Sequence, residues 1–316
     1  MRKLISIVSP CYNEEHNIQV LYGRVSAAIA SLADFEFEMI FIDNASTDGT
    51  VAAVKKIIEK DKRVRLIVNA RNFGHIRSPF YGLLQAHGDA VILMASDLQD
   101  PPELIGRLVA KWTDGFKVAA AIKNESEEAR GFYFIRKMYY EICNRMADIE
   151  LISQFTGFGL YDKEVIGIFR TLDDPYPYLR GLVSEIGFEV AHVPFKQPVR
   201  ERGITKNNFY TLFDMAMLGI TSHSRVPIRL ATFAGFALAA GSLCVSIAYI
   251  ILKLIFWNAF KIGTAPILVS LFFFAAVQLI FLGLIGEYIG VIRLQTRRRP
   301  LVVEKQRINF PAPPQA

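Results

Sequence analysis

The sequence lacks the clustered cysteines and histidines that a zinc site requires. Its three cysteines, Cys11, Cys143 and Cys244, are far apart, and its five histidines are scattered along the chain. Zinc sites place such ligands in closely spaced pairs, so a zinc enzyme is disfavoured, and the pattern suits a reducing compartment. The first residues, MRKLISIVSP, contain no long apolar run followed by a cleavage site. They predict a short buried strand rather than a signal peptide.

Three common motifs are also absent. The chain contains no GxxxxGK phosphate loop, no GxGxxG dinucleotide fingerprint and no GxSxG nucleophile elbow. These motifs cradle nucleotide phosphates, bind dinucleotides and present a nucleophilic serine, respectively. Their absence disfavours an ATPase, a dehydrogenase and a serine hydrolase.

The region before residue 293 has little net charge. The formal net charge is +6, and residues 293–316 carry six basic residues against one acidic residue, a net of +5 that leaves +1 for everything before them. A nucleic-acid-binding protein carries its excess charge on the folded domain, so no nucleic-acid partner is expected.

Two long apolar runs stand out near the C-terminus. The run 231–252 has no charged residue, and the run 262–286 has Gln278 as its one strongly polar side chain. Each is long enough for a helix to cross a hydrocarbon core of about 30 Å. The basic residues that follow predict a cytoplasmic end under the positive-inside rule. Two crossings place the preceding domain on the same side, which predicts a multi-pass protein of the plasma (inner) membrane.

The region before these runs alternates between apolar strands and amphipathic helices. The pattern predicts strands over 4–9, 37–43, 65–69, 90–96 and 118–122, with helices over 14–33, 50–60, 76–86 and 101–112. This alternation is typical of a parallel sheet covered on both faces, whose ligands bind beyond the carboxyl ends of the strands. Further on, we expect a basic and aromatic helix over 130–146, a glycine-rich strand or loop over 154–161, a basic loop over 200–208 and an interfacial amphipathic helix.

Polar residues cluster where three of the predicted strands end. The segments are 10–14 (PCYNE), 43–50 (DNASTDGT) and 97–100 (DLQD). The ring of Tyr12 and the carboxylate of Glu14 suit a base and a ribose, whereas Asn13 is predicted to cap the next helix. Asp43 ends a buried strand, where an unpaired carboxylate is costly and needs a partner. The same segment could instead cap the helix that begins at Thr50.

The segment 97–100 indicates a metal. Asp97 and Gln99 offer a carboxylate and an amide oxygen two residues apart, and Mg²⁺ or Mn²⁺ prefers such ligands. A metal held there would also bridge the oxygens of a diphosphate. The alternative is a solvated turn before the helix that begins at Pro101.

Together these segments resemble the family-2 glycosyltransferases with the GT-A fold, and most of all their polyprenyl-phosphate branch of dolichol-phosphate mannose synthases and bactoprenol glucosyltransferases. The resemblance covers nearly the whole chain and rests on SPCYNEEHNI, IDNASTDGT, ARNFG, SDLQDPPELI, TGFGLYDKEV, RERGITK and the paired apolar runs. It implies an α/β domain with a Rossmann-like, mostly parallel sheet over 1–207. An interfacial helix over 208–227, two transmembrane helices over 228–292 and a basic cytoplasmic tail over 293–316 follow.

The resemblance also implies roles for individual residues. The nucleoside of the donor would be held at the first two strand ends, the metal at the fourth and phosphates by the basic loop, with the acceptor nearby. The implied substrate-binding residues are Pro10, Tyr12, Glu14, Asp43, Arg71, Lys123, Arg136 and Arg200. The implied catalytic residues are Asp97, Arg202 and Lys206, and the implied metal ligands are Asp97 and Gln99.

Two positions depart from the family pattern. Many relatives have an acidic residue where this chain has Ala95, and many have an aspartate where it has Gly157. The first change removes a carboxylate from the metal site, and the second removes the residue to which a catalytic-base role is assigned. Asp162 is close in sequence but out of register. A polyprenyl phosphate is already an anion at neutral pH and needs no general base to attack.

The expected function is transfer of one sugar from a nucleotide-sugar to a polyprenyl phosphate at the cytoplasmic membrane face, with inversion and with Mg²⁺ or Mn²⁺. Two alternatives stay open: a processive polysaccharide synthase, although its QxxRW motif is absent, and a non-catalytic membrane scaffold. Small residues in the first apolar run, such as Gly235 and Gly241, permit close helix packing and hence homo-oligomers. The sugar, and the choice between UDP and GDP, stay open.

Overall fold

The computed structural model describes residues 2–125, 152, 154–172, 174–198, 226–256, 264–296 and 299–311. Within these residues, eight strands form one sheet in the order β7-β5-β6-β4-β1-β2-β3-β8. The strands are β1 (Lys3–Cys11), β2 (Phe35–Asp43), β3 (Val64–Asn69), β4 (Ala90–Leu93), β5 (Val118–Glu125), β6 (Phe155–Asp162), β7 (Val190–Lys196) and β8 (Glu304–Ile308).

The sheet is mostly parallel, as the sequence predicts. β4, β1, β2 and β3 are parallel neighbours, and β5 pairs in parallel with β7. β6 lies antiparallel between β4 and β5, and β8 is antiparallel to β3. The α/β fold class with a mostly parallel sheet is therefore confirmed.

Helices cover both faces of the sheet. The helices of the α/β domain are α1 (Glu15–Ile29), α2 (Thr50–Lys60), α3 (Gly74–Gln85), a 3-10 turn (Pro102–Leu104), α4 (Ile105–Thr113), α5 (Lys163–Thr171) and α6 (Leu179–Glu185). α1, α2 and α4 pack on one face, and α3, α5 and α6 pack on the other. Alternate residues of β2, such as Phe41 and Ile42, belong to these two opposite cores. Burial on both faces explains the consecutive apolar residues within the strands, such as Met39–Ile42 of β2.

Most predicted element bounds lie within a few residues of the observed ones. α2 spans 50–60 as predicted, whereas α1 ends at Ile29 rather than at residue 33. β4 ends at Leu93 rather than at residue 96, because Asp100 accepts a hydrogen bond from the Ala95 amide and turns the chain out of the sheet. The resulting turn holds 97–100 at the edge of the sheet.

The C-terminal segment differs from the predicted tail. Residues 304–308 form β8, which pairs with β3 and completes the sheet of the α/β domain. The side chain of Arg77 bonds the carbonyl of Pro300, and the hydroxyl of Tyr81 donates to Glu304 at 2.8 Å. The chain therefore returns to the α/β domain after its last long helix.

Two long helices precede β8. They are α7 (Val226–Ile255) and α8 (Thr264–Gln295). Among the described residues, one helical stretch, Phe273–Gly290, is long and apolar enough to cross a membrane by length and composition, and Leu230–Ser242 is a shorter apolar stretch. The predicted interfacial helix over 208–227 lies almost wholly outside the described residues.

Candidate functional site

The three polar segments lie side by side at one edge of the sheet. They follow β4, β1 and β2, which are parallel neighbours, and the last residue of β1, Cys11, pairs with the last residue of β2, Asp43. The hydroxyl of Ser96 donates to the Pro10 carbonyl at 2.9 Å and links the first and fourth strand ends. The topology therefore brings together side chains that the sequence separates by more than 80 residues.

Hydrogen bonds lock the segment after β1 to the segment after β2. The Asn13 amide donates to the Ser46 hydroxyl at 2.9 Å, and the Asn13 side chain accepts from the Thr47 amide at 2.8 Å. Asn13 has a positive φ of 57°. The prediction that Asn13 caps α1 is therefore wrong, because its side chain is directed to the neighbouring loop and α1 has no side-chain cap.

Glu14 also bonds to the segment after β2. The Glu14 amide donates to the Thr50 hydroxyl at 2.8 Å, and the Glu14 carboxylate accepts from the side chain of Asn17 at 2.6 Å. Tyr12 is half-buried between the two segments. Two linked loops of this kind form a rigid rim, which suits a ligand that must be held in one orientation.

Asp43 is fully buried at the end of β2. Its carboxylate accepts a hydrogen bond from the Ser46 amide at 3.0 Å. This bond supplies the partner that a buried carboxylate was expected to need. Burial raises its pKa, and the bonds to Ser46 only partly oppose that effect. Asp48, rather than Asp43, accepts from the Thr50 amide at the start of α2, at 3.0 Å. Asp43 is thus left to face the site rather than the helix.

Asn44 organises the loop after β3, a role that sequence reasoning missed. Its side-chain oxygen accepts from the Phe73 amide at 2.8 Å and from Asn69, and its side-chain nitrogen donates to Asn72 at 2.9 Å. Arg71, in that loop, stacks on Phe73 with its guanidinium carbon 4.0 Å from the ring centroid. The position of Asn44, directly after the aspartate that ends a buried strand, could have indicated that its side chain bonds to a neighbouring loop.

Asp97 and Gln99 reach solvent at the same edge. Leu98 between them is buried and has a positive φ of 63°. The inward residues Ser96, Leu98 and Asp100 anchor the turn, so that Asp97 and Gln99 stay half-buried at its surface. The Asp97 carboxylate accepts from the Gln99 amide at 3.2 Å.

This donor set fits a divalent cation. One carboxylate and one amide oxygen are hard ligands, and Mg²⁺ is commonly held by one or two protein ligands plus phosphates and water. The described residues contain no group of three His, Cys, Asp or Glu side chains placed to hold a metal. Of the described residues, Asp97 and Gln99 are the ones that would hold such a cation, with phosphate oxygens and water as its further ligands.

Asp100 lies behind the turn and is almost fully buried. Burial is the main cause that raises its pKa to about 7, and the charge of Asp97 adds to it. The hydrogen bond from the Ala95 amide acts in the opposite direction. Asp100 therefore holds the turn 97–100 in place from inside the domain.

Comparison with known proteins identifies the family. The glycosyl transferase family 2 domain matches residues 6–169. The chain belongs to glycosyl transferase family 2. The family resemblance and the assignment as a glycosyltransferase are both confirmed.

The similarity to individual family members extends beyond that domain. A bactoprenol glucosyl transferase of Shigella phage SfX is 34% identical over 304 residues, covering 96% of this chain and 99% of that protein. An uncharacterized glycosyltransferase of Synechocystis sp. is 33% identical over 94% of this chain and 93% of its own length. Among solved structures, a mannosyltransferase from Pyrobaculum calidifontis covers 93% of this chain and 87% of its own, with 15% identity and a TM-score of 0.48.

The structure places Gly157 and Asp162 at opposite edges of the sheet. Gly159 pairs with Leu93 at the end of β4, so Gly157 lies at the carboxyl edge, on the side of the turn 97–100. Asp162 pairs with Ala90 at the start of β4 and therefore lies at the opposite edge. Its carboxylate caps α5 through the Glu164 amide and accepts from the indole of Trp112 at 2.7 Å. Asp162 is a structural residue.

Of the remaining predicted residues, Lys123 lies near the end of β5, which runs parallel to β4 because both are antiparallel to β6. It therefore shares the edge with Asp97. Four predicted residues lie outside the described part of the chain: Arg136, Arg200, Arg202 and Lys206.

Proposed function

We propose that this glycosyltransferase moves one sugar from a nucleotide-sugar to a polyprenyl phosphate at the cytoplasmic face of the membrane, with inversion and with Mg²⁺ or Mn²⁺. The observation that carries the proposal is that buried Asp43 and half-buried Asp97 and Gln99 lie at the same edge of the sheet, at the ends of strands that are separated only by β1. One group suits a base N–H and the other suits a metal-bound diphosphate. The name of the relative from Shigella phage SfX supports the lipid acceptor and a glucosyl donor.

The donor would lie across the carboxyl ends of β4, β1 and β2. Pro10, Tyr12 and Glu14 would hold the nucleoside with Asp43, and Arg71 would assist. A metal bound by Asp97 and Gln99 would supply charge neutralisation for the leaving nucleoside diphosphate. Basic residues outside the described part of the chain, Arg200, Arg202 and Lys206, are predicted to meet the phosphates.

The acceptor explains how catalysis can proceed without a carboxylate base. A phosphate monoester is ionised at neutral pH, so its oxygen can attack the anomeric carbon directly. Gly157 has no side chain, so this position at the carboxyl edge places no carboxylate beside the acceptor phosphate. Lys123 and Arg136 are predicted to bind the acceptor, and positioning with charge neutralisation would supply the rate.

The long helices support attachment to a membrane. Many apolar side chains of α7 and α8 are exposed, among them Phe233, Phe236, Leu279 and Ile280, each at 69–70%. Such large exposed apolar surface is unfavourable in water and suits lipid. We therefore retain two membrane-spanning helices, an interfacial helix over 208–227, and a catalytic domain and C-terminus on the cytoplasmic side. Packing of α7 through its small residues would allow a homo-oligomer.

A donor and acceptor screen tests this function. The full-length protein in detergent is incubated with undecaprenyl or dolichyl phosphate, Mg²⁺ or Mn²⁺, and UDP-glucose, GDP-mannose or related donors. We expect one donor to give a monoglycosylated lipid whose anomeric configuration is inverted, and we expect EDTA to stop the reaction. A polymeric product would favour a processive synthase, and nucleotide binding without turnover on any acceptor would favour a scaffold.

A further inference from the structure

A cleft opens beside Asp43 at the carboxyl edge of the sheet. It has a volume of about 330 Å³. That size lies at the lower end of the range of small-molecule sites. Its walls come from the ends of β2 and β3, from α2 and from β8, with Asp43, Ser46, Lys55, Ala70, Lys305 and Gln306 among the lining residues.

β8 supplies one wall of this cleft through a row of paired residues. Asp43 pairs with Val68 of β3, and Val68 pairs with Gln306 of β8. Paired residues of neighbouring strands direct their side chains to the same face of a sheet. Two strand spacings separate Asp43 from Gln306, about 10 Å. Val68 lies between them in the same row, so a flat aromatic ring that spans this separation would lie over its side chain.

A bulge in β8 adds a second side chain. The register shifts so that Val68 pairs with Gln306 but Asn69 pairs with Glu304, which leaves Lys305 as the extra residue. In a regular strand Lys305 would be directed to the face opposite Gln306. The bulge instead allows both to line the cleft, while Glu304 accepts from the Tyr81 hydroxyl. Bulges commonly redirect side chains in this way next to functional sites.

α2 lines the cleft next to β8. The ammonium of Lys55 lies 3.5 Å from the side-chain oxygen of Gln306. The cleft thus combines a buried carboxylate with two lysines and an amide. A base that presents a ring N–H next to a carbonyl, as uracil and guanine both do, matches this set: the carboxylate accepts the N–H, and a lysine or the amide donates to the carbonyl.

We infer that Lys305 and Gln306 of β8 bind the nucleobase of the donor and complete the nucleoside pocket whose other wall is Asp43. The inference rests on the proposed function, since it requires a nucleotide donor. It assigns a binding role to a segment that follows both long helices. The base site is then built from both ends of the chain.

Binding measurements on the full-length protein in detergent test this inference. Dissociation constants for UDP, GDP and pyrophosphate, each with Mg²⁺, are measured by calorimetry for wild type, Lys305→Met and Gln306→Leu. Loss of one hydrogen bond predicts about three- to tenfold weaker binding of whichever nucleotide the wild type prefers. Pyrophosphate binding should be unchanged, because the side chains contact the base. Lys305→Arg should recover most of the affinity.

Lys56→Met is the matched control, since Lys56 is exposed on α2 next to Lys55 but does not line the cleft. Unchanged nucleotide binding in both β8 variants, with wild-type melting temperatures, would overturn the inference. An equal loss for pyrophosphate would overturn it too, because the lysine would then contact phosphate. If the wild type binds neither UDP nor GDP, the proposed function itself fails, which is a separate and recognisable result.

Discussion

Asp162→Asn separates a structural carboxylate from a catalytic one. In the native protein one carboxylate oxygen accepts from the Glu164 amide at 2.9 Å and from Lys117 at 3.4 Å, and the other accepts from Trp112 at 2.7 Å. An asparagine offers one acceptor oxygen and one NH₂ group. Whichever way the amide is placed, one N–H donor loses its acceptor and faces another donor.

The expected cost is that of a buried donor left without a partner, about 1–3 kcal/mol. For a domain of this size it lowers the melting temperature by about 2–12 °C. Turnover should change by no more than about twofold, because Asp162 lies at the edge of the sheet opposite Asp97 and Gln99. Thermal unfolding and glycolipid formation in detergent measure the two effects on the same preparation.

The pH dependence has a defined sign. Burial of the Asp162 carboxyl acts to raise its pKa, but the bonds from Trp112, Glu164 and Lys117 together hold the pKa below its ordinary value. Its stabilising contribution is therefore fully present above the unfolded-state pKa of about 3.9 and is lost as the pH falls through the folded-state value. The difference in melting temperature between wild type and variant should shrink as the pH falls below about 4.

Glu164→Gln is the matched control, since it removes a neighbouring carboxylate whose ion pair with Lys117 is largely exposed. Such pairs contribute about 0–1 kcal/mol, so its melting temperature should change little. A folded Asp162→Asn protein with wild-type stability and a thousandfold lower kcat, roughly 4 kcal/mol, would refute the structural assignment.

Three further predictions concern the site and the sheet. Asp97→Ala should abolish most turnover and remove the dependence of nucleotide binding on Mg²⁺, whereas full activity in excess EDTA would contradict the metal site. Asp43→Asn should raise the donor KM about tenfold or more, as expected for loss of a charged hydrogen bond of about 1.5–3 kcal/mol, while an unchanged KM with lowered stability would assign Asp43 to the fold alone. Gly159→Ala should destabilise the sheet, because its Cβ would lie 2.6 Å from the Ala119 carbonyl oxygen, and thermal unfolding of this variant beside Gly167→Ala, where the added Cβ meets no atom within 4 Å, measures the difference.

The strands of the central sheet could be predicted from the sequence because both of their faces are buried. β1, β2 and β3 contain short stretches of consecutive apolar residues bounded by turn signals, and their length and their alternation with helical patterns favour strands over buried helix segments. Strand direction is not written in such a run. The antiparallel course of β6 depends on how the chain returns from β5, which composition does not encode.

The candidate site could be located but not resolved in detail. Asp43, Asp97 and Gln99 lie where the sequence places them, since the carboxyl ends of parallel neighbours must share an edge. The hydrogen bonds between the loops after β1 and β2 could not be predicted. The sequence predicts that Asn13 caps α1, but its positive φ directs its side chain to the neighbouring loop. Asn44 hydrogen-bonds to residues of a different loop, and no periodic pattern in the sequence predicts such a contact.

β8 shows why the C-terminal segment reads as a tail. Its sequence, EKQRI, has four polar or charged residues in five, because one of its edges and much of its surface face solvent. Charged side chains on an edge strand hinder its pairing with strands of other chains. The same charged residues remove the apolar pattern from which a strand is predicted. Without β8, the edge of β3 would be exposed along an apolar strand. The segment that the sequence predicts to be a basic tail therefore forms the edge strand of the sheet. Because β8 pairs with β3, and β3 pairs with β2, this pairing places β8 near Asp43.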